Sequence, residues 1–402
     1  MRRAKSSLIV WALVTGLLLL PACAGAPETP TPQPSDTPSP TATPLIVETS
    51  TEQPTETPAP PSPTPVEPSP TPMPPTPTLS PPTATSLPPT ATPAPPPPAF
   101  LPEPGVWTKS GRNPVLQPGG AGSWESEAVS EGEVLFDGQT YRLWYGGRDA
   151  NGVYRTGLAT SADGVSWSRH AANPVLSTGG PGAWDSGGVN ASEVMKDGDT
   201  YEMWYMGQDG TWSIGRATSP DGVSWTKDAS NPVLQSGPDG SWDAGMVLSP
   251  CVIRDGSTYK MWYTGMDGNA ILRIGYATSG DGVNWTKQGA VLYPGPPGTW
   301  DDAWVLAPDV IFDGRTYRMW YTGQASNRAR AIGYATSSDG VNWAKSANNP
   351  VLGAAAGWER SVMHPNVIAS GDQYLMWYTG LPEIGSPLDY VNRIGLATAR
   401  GQ

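Results

Sequence analysis

Between Trp107 and the C terminus one phrase of about 58 residues is written five times. That period limits what the chain can fold into more than any other feature. Its anchor is a turn of glycine, tryptophan and an acid at Trp124, Trp184, Trp242, Trp300 and Trp358, spaced by 60, 58, 58 and 58 residues. Each anchor leads into an apolar run, an Asp-Gly turn, a Tyr-x-Met/Leu-Trp-Tyr run and a Gly-x-Ala-Thr run. A fixed period holding several short strands predicts an all-β array, a β-propeller with one blade per repeat.

Within a unit the apolar period is two, the period of strands. In the fourth unit Ala307–Phe312 ends at Asp313-Gly314, Tyr317–Tyr321 follows, and then Ile332–Thr336. The Asp-Gly pairs at 137, 197, 255 and 313 predict hairpins in which both central residues take positive φ. A further turn, Ser337-Ser-Asp339-Gly340-Val-Asn-Trp343, has copies beginning at Ser161, Ser219 and Ser279; it resembles a shortened Asp-box, a structural turn. Four strands per unit and five units predict a five-bladed β-propeller of four-stranded blades. The fifth unit stops after Ile394–Thr398 without its fourth strand, whereas Val106-Trp107-Thr108-Lys109 matches Asn284-Trp285-Thr286-Lys287. Residues 105–116 are therefore expected to return and complete the last blade, leaving no open sheet edge.

The chain divides into three regions: a signal segment 1–23, a linker 24–100 and the propeller 101–402. Arg2, Arg3 and Lys5 precede an apolar run from Leu8 to Leu20, which is short for a membrane span and suits a secretory signal. Leu20-Pro21-Ala22-Cys23 resembles a bacterial lipobox, in which Cys23 would become the lipidated first residue. The implied location is the cell surface, with the membrane touched only through that lipid. The linker is almost wholly Pro, Thr, Ser, Ala and Glu, too poor in apolar surface to offset its ordering entropy. It reads as a disordered stalk.

The net charge of −12, from 24 basic and 36 acidic residues, argues against nucleic acid as a partner. With Cys23 and Cys251 the only cysteines, no disulfide forms once Cys23 is lipidated, and Cys251 in its apolar strand reads as packing. A closed propeller is expected to be a monomer.

Five copies of each position permit an internal comparison. Residues that recur, such as Glu125, Asp185, Asp243, Asp301 and Glu359, belong to the scaffold. The first strand of each unit, expected to line the channel, varies instead. It offers Glu127, Glu131 and Glu133 in unit one and Asn190 and Glu193 in unit two. Units four and five supply Asp302, Trp304 and Asp309, then Arg360, His364 and Asn366. Acids beside an aromatic platform suit a carbohydrate: carboxylates accept sugar hydroxyls or move protons, and an indole stacks on sugar C–H faces. Solvated strand ends in an acidic protein are the blander alternative. No cofactor is implied; His364 is either a hydrogen-bonded channel histidine or a ligand of a structural metal at the centre.

On these blades, notably Ala307-Pro308-Asp309-Val310 running to Asp313-Gly314 and Tyr317–Tyr321, the chain resembles the five-bladed propeller glycoside hydrolases of the arabinanase, levansucrase and invertase kind. The likeness covers about residues 105–402 and implies a glycosidase using three carboxylates from different channel strands. Carried over residue by residue, the base slot falls on Glu131, followed by Gly132 rather than Pro; the other units hold Ala191, Ser249, Ala307 and His364 there. The slot before it, where the resemblance implies a Glu, holds Ser130, Asn190, Leu248, Leu306 and Met363. Two readings follow. In a divergent glycosidase Glu131 is base or nucleophile, Glu193 or Asp309 the acid, and Glu127 tunes them. In a surface lectin or a protein-contact scaffold nothing is cut.

Overall fold

A computed structural model describes residues 100–382 and 391–402, apart from the side chain of Glu131. The signal segment with Cys23, and the linker up to residue 99, lie outside the described residues. The first strand is β1 (Thr108–Lys109). Blade one is β2 (Ala128–Phe136), β3 (Tyr141–Arg148), β4 (Tyr154–Ser161) and β5 (Ser168–Arg169). Blade two is β6 (Gly188–Asp197), β7 (Thr200–Gln208), β8 (Trp212–Ser219) and β9 (Thr226–Lys227). Blade three comprises β10 (Met246–Asp255), β11 (Thr258–Met266), β12 (Leu272–Ser279) and β13 (Trp285–Leu292). Blade four comprises β14 (Trp304–Phe312), β15 (Tyr317–Gln324), β16 (Arg330–Ser337) and β17 (Ala344–Lys345). Blade five has β18 (Ser361–Ser370), β19 (Gln373–Leu381) and β20 (Arg393–Arg400), with β1 as its fourth strand. All five sheets are antiparallel, four of them simple meanders and the fifth completed by β1, and the five first strands contact one another in a closed ring around the channel.

The ring closes as the repeat predicts. Thr108 pairs with Thr398 and Lys109 with Ala397. The closing segment reuses the side chains of an ordinary fourth strand. Lys345 Nζ lies 2.6 Å from Asp301, an acid that also accepts the Tyr321 hydroxyl at 3.3 Å. At the seam Lys109 sits 3.1 Å from Glu359, which takes the Tyr378 hydroxyl at 2.6 Å. This ion pair recurs in every blade, with Lys227–Asp185, Lys287–Asp243 and the longer Arg169 reaching Glu125. The seam also extends further back than the repeat suggests: the Tyr374 hydroxyl donates to the Pro102 carbonyl and the Tyr334 hydroxyl to Glu103.

Blades are joined through tryptophan. Trp144, Trp204, Trp262 and Trp377, all buried on second strands, donate their indole N–H to a glycine carbonyl in the Asp-box of the next blade, at 2.8–2.9 Å. Trp320 faces the seam, where Pro104 stands three residues before Trp107 in place of that glycine. Its indole nitrogen is buried without a hydrogen bond, although Trp107 packs edge-on against the ring at 6.3 Å as the equivalent tryptophans do in the other blades.

One expectation needs correction. The Asp of each Asp-Gly pair keeps ordinary φ; only the glycine is left-handed, as at Gly198 (58°) and Gly314 (88°). In blades two and three the Asp pairs across the hairpin, Asp197 with Thr200 and Asp255 with Thr258. The tight turn is therefore Gly-x, as in a type II′ turn. In blades one and four the carboxylate itself closes the loop, Asp137 accepting from Gln139 and Thr140. The fourth strands, moreover, are two residues long except for β13, which has eight. Elsewhere an Asn side chain takes over the pairing: Asn231 accepts from Arg216 N at 2.7 Å and donates to its carbonyl at 2.8 Å. Blade three lacks this Asn, and there the backbone pairs on as far as Leu292 with Ile274.

Candidate functional site

Every first strand carries a β-bulge at the same place. Pairing jumps from Ser130 to Gly132, Ala191 to Glu193, Leu248 to Cys251, Leu306 to Asp309 and Met363 to Asn366. An extra residue re-aims the strand and lets successive side chains reach the axis. Ser249, Ala307 and His364 at the bulge have φ of 44°, 49° and 51°, a region costly for residues with a Cβ. Neighbouring blades hold this strain. The Thr264 hydroxyl accepts from Ala307 N at 2.8 Å, and that of Thr322 from His364 N at 2.9 Å. Strained backbone so braced is a feature of ligand sites.

The bulge sorts the candidate residues into three layers. The rim carries Glu127 and Arg360, both exposed. Asp302 belongs to the rim by position but is occupied: one oxygen accepts from Gly298 N at 2.7 Å, the other from Ser326 N at 2.6 Å. It ties the turn before β14 to the loop after β15. Trp304 is half-buried beside it. At bulge level stand the Glu131 backbone and the half-buried His364. Asn190, one residue above the bulge, is buried between blades one and two. It fits because Gly146 has no Cβ, which would overlap its amide.

The third layer is the waist, formed by Glu133, Glu193, Cys251, Asp309 and Asn366, one residue per blade and all buried. Their chemistry differs but their task is shared. Glu193 accepts from Val252 N at 3.0 Å, Cys251 Sγ from Val310 N at 3.2 Å, Asp309 from Val367 N at 2.9 Å and Asn366 from Val134 N at 3.1 Å. Each thus captures a backbone N–H of the following blade. Glu133 completes the circle by accepting from Asn366 Nδ2 at 2.7 Å. The waist, with Pro250, Pro308, Pro365 and His364 above it, lines a partly open pocket of about 30 Å³, room for one or two waters and too little for a sugar ring.

Burial therefore governs these acids. It pushes the Glu133 carboxyl well above its ordinary value, helped by the charges of Glu193 and Asp309 and opposed by the Asn366 amide. Burial likewise raises Glu193 to about 8, against the Val252 N–H, and Asp309 to about 7, against the Val367 N–H. The Cys251 thiol is driven up by the same desolvation, then by Glu193 and Asp309, and stays a neutral packing group. At neutral pH the waist is largely a set of protonated acids. Among the described residues no three His, Cys, Asp or Glu side chains are grouped to hold a metal, so His364 gains no ligand set.

One residue near the mouth escaped the sequence comparison because it lies on a third strand. Arg330 opens β16, where the first three blades have Tyr154, Trp212 and Leu272. The residue is 3% exposed, and its guanidinium donates to Gln324 Oε1 at 2.7 Å and lies 6.0 Å from the Trp304 ring. The break in that column was the signal.

Comparison with known proteins agrees with this geometry. Residues 251–383 match the model of the glycosyl hydrolases family 32 N-terminal domain. A glycosyl hydrolase structure from Bacteroides ovatus superposes with a TM-score of 0.59 at 18% identity, covering 74% of this chain and 94% of that one. A structure from work on the GH130 family, mannoside phosphorylases that include hydrolases of β-1,2 mannosidic linkages in Candida mannan, gives 0.55 at 17%, covering 74% and 94%. The chain carries the fold of the five-bladed propeller glycoside hydrolases. An uncharacterized protein of Mycobacterium tuberculosis, present in strains CDC 1551 / Oshkosh and H37Rv, is 29% identical over 293 residues, 68% of this propeller chain and 95% of its own length.

Proposed function

We propose that this protein is a carbohydrate-active propeller whose glycan seats over the open mouth, against Trp304, Arg360, His364 and the blade-one strand bearing Glu127 and Glu131. The observation that carries this reading is the break of repeat in one sector of the mouth. Scaffold positions recur through five blades, while Trp304, Arg330, Arg360 and His364 have no counterparts in blades one to three. An indole platform with flanking charged groups is what a sugar ring needs.

Glycoside hydrolysis is the finer form of the proposal. Glu131, the one acid in the bulge column, acts as base or nucleophile, with Glu193 or Asp309 as proton source. Their raised pKa values suit proton donation, since an acid catalyst must be protonated at working pH. The second reading is a glycan-binding module that does not cut. The narrow waist favours it, because Glu193 and Asp309 are each engaged with the next blade and the pocket they line, about 30 Å³, admits water but no sugar ring. Lipid anchoring through Cys23, a stalk over residues 24–100 and a monomeric state complete the proposal of a surface-tethered protein.

Reducing-end release from arabinan, xylan, fructan and mannan, run beside Glu131→Gln, separates the two forms. Release abolished by Glu131→Gln supports hydrolysis with its base in blade one. Binding without release from any polymer leaves the binding module, and neither binding nor release refutes the carbohydrate reading.

A further inference from the structure

Arg330 is a buried cation with no carboxylate in ion-pair reach among the described residues. Its neighbours are the Gln324 amide oxygen, the Met363 sulfur at 3.3 Å and the Trp304 ring. Burying a guanidinium against neutral partners is costly, since a single amide oxygen and a thioether replace little of its hydration. Arg328, two residues earlier on an exposed loop with φ of 71°, adds a second positive charge rather than relief. Burial, and next the Arg328 charge, lower Arg330 to about 10. In a chain with twelve excess negative charges, two arginines on one short stretch without an acid between them run against the overall balance. The scaffold does not require an arginine there, because the same place in the first three blades is filled by Tyr154, Trp212 and Leu272.

We infer that Arg330, flanked by Arg328 and capped by Trp304, is an oxyanion subsite of the mouth and that the glycan it serves carries a negative group such as a uronate carboxylate. A planar guanidinium with donors held in a fixed fork is well matched to a carboxylate or phosphate. Arg330 is 3% exposed, so the inference requires its cover to open, and the half-buried Trp304 indole, whose ring centre lies 6.0 Å from the guanidinium, is the side chain that would shift and then stack on the sugar bearing the charge. This rests on the mouth being the glycan site, and the experiment keeps the two apart.

Titration calorimetry on the full-length protein compares oligogalacturonides with neutral arabino- and manno-oligosaccharides, each at low and high NaCl, with inorganic phosphate as a separate ligand. The expected result is preference for the acidic oligosaccharide, lost at high salt, while any neutral binding is unaffected. Arg330→Leu, which copies Leu272 of blade three, should weaken acidic binding roughly ten- to a hundredfold and spare neutral binding. The salt comparison needs no variant and stands even if Arg330→Leu folds poorly. Phosphate that binds, competes with the uronide and is lost in Arg330→Leu supports the subsite and admits free phosphate as a source of the anion. Phosphate binding without any glycan binding keeps the subsite and refutes the glycan reading of the mouth. Equal, salt-independent affinity for acidic and neutral sugars, or acidic binding unchanged in Arg330→Leu, overturns the inference.

Discussion

The waist acids make the stability of this propeller depend on pH in the opposite sense to the usual acidic protein. Glu193 titrates near 8 in the folded chain against an ordinary value of 4.5. A carboxyl whose folded value is raised contributes stability below its unfolded value and loses it as pH climbs toward the folded one. A tenfold difference in proton affinity between the folded and unfolded chain is worth about 1.4 kcal/mol. This one group therefore removes about 3 kcal/mol between pH 4 and pH 7 and about 5 kcal/mol by pH 9. Asp309, titrating near 7, and Glu133 act in the same direction. Glu193→Gln retains an oxygen to accept from Val252 N and removes the titration. Urea-unfolding free energies at pH 5, 7 and 9 should fall steeply for the wild type and less steeply for Glu193→Gln. The variant should be near neutral at pH 5 and more stable by a few kcal/mol at pH 9. A flat wild-type profile, or parallel profiles for the two proteins, would show that the waist is ionised and compensated and would refute the reasoning.

Other consequences follow from the same contacts. Trp107→Ala should cost about 3–5 kcal/mol in chemical denaturation, because Trp107 is 7% exposed and fills the seam beside Trp320. Asp301→Asn strands Lys345 and one Tyr321 hydroxyl bond at a site 2% exposed, and should cost about 3 kcal/mol by the same assay. Gly323→Ala should unfold blade four or the whole propeller in a thermal melt, since an added Cβ would overlap the Trp300 ring that packs on it. Thr322→Val removes the acceptor for His364 N and should cost about 1–2 kcal/mol while altering glycan affinity more than an outer-strand change of equal cost.

The repeat made the fold legible because the blades reuse one set of contacts, with exceptions at Trp320 and at the missing Asn of blade three. The Lys–acid–Tyr contact, the indole donated to the next blade and the Asn bridge on the third strand each follow from residues that recur in phase. Even the seam was readable, since Trp107 and Lys109 carry the signature of a fourth strand. The waist was not. Glu133, Glu193, Asp309 and Asn366 look unrelated and their variation suggested function, while Cys251 read as packing. Four of them nevertheless present a lone pair to the backbone N–H of the following blade, a task that oxygen and sulfur can both perform. That shared contact accounts for where these side chains sit and is compatible with either reading of what they do. Arg330 was missed for the converse reason: the comparison followed first strands, and the informative break lay on a third.

The central claim is that glycan affinity comes from the mouth, whether or not a waist acid then serves as proton source. Glycan affinity measured side by side for the wild type, Trp304→Ala and Glu193→Gln tests it most directly. The account predicts that Trp304→Ala abolishes binding while Glu193→Gln leaves it intact at neutral pH. Binding that survives Trp304→Ala and is lost in a folded Glu193→Gln would contradict it.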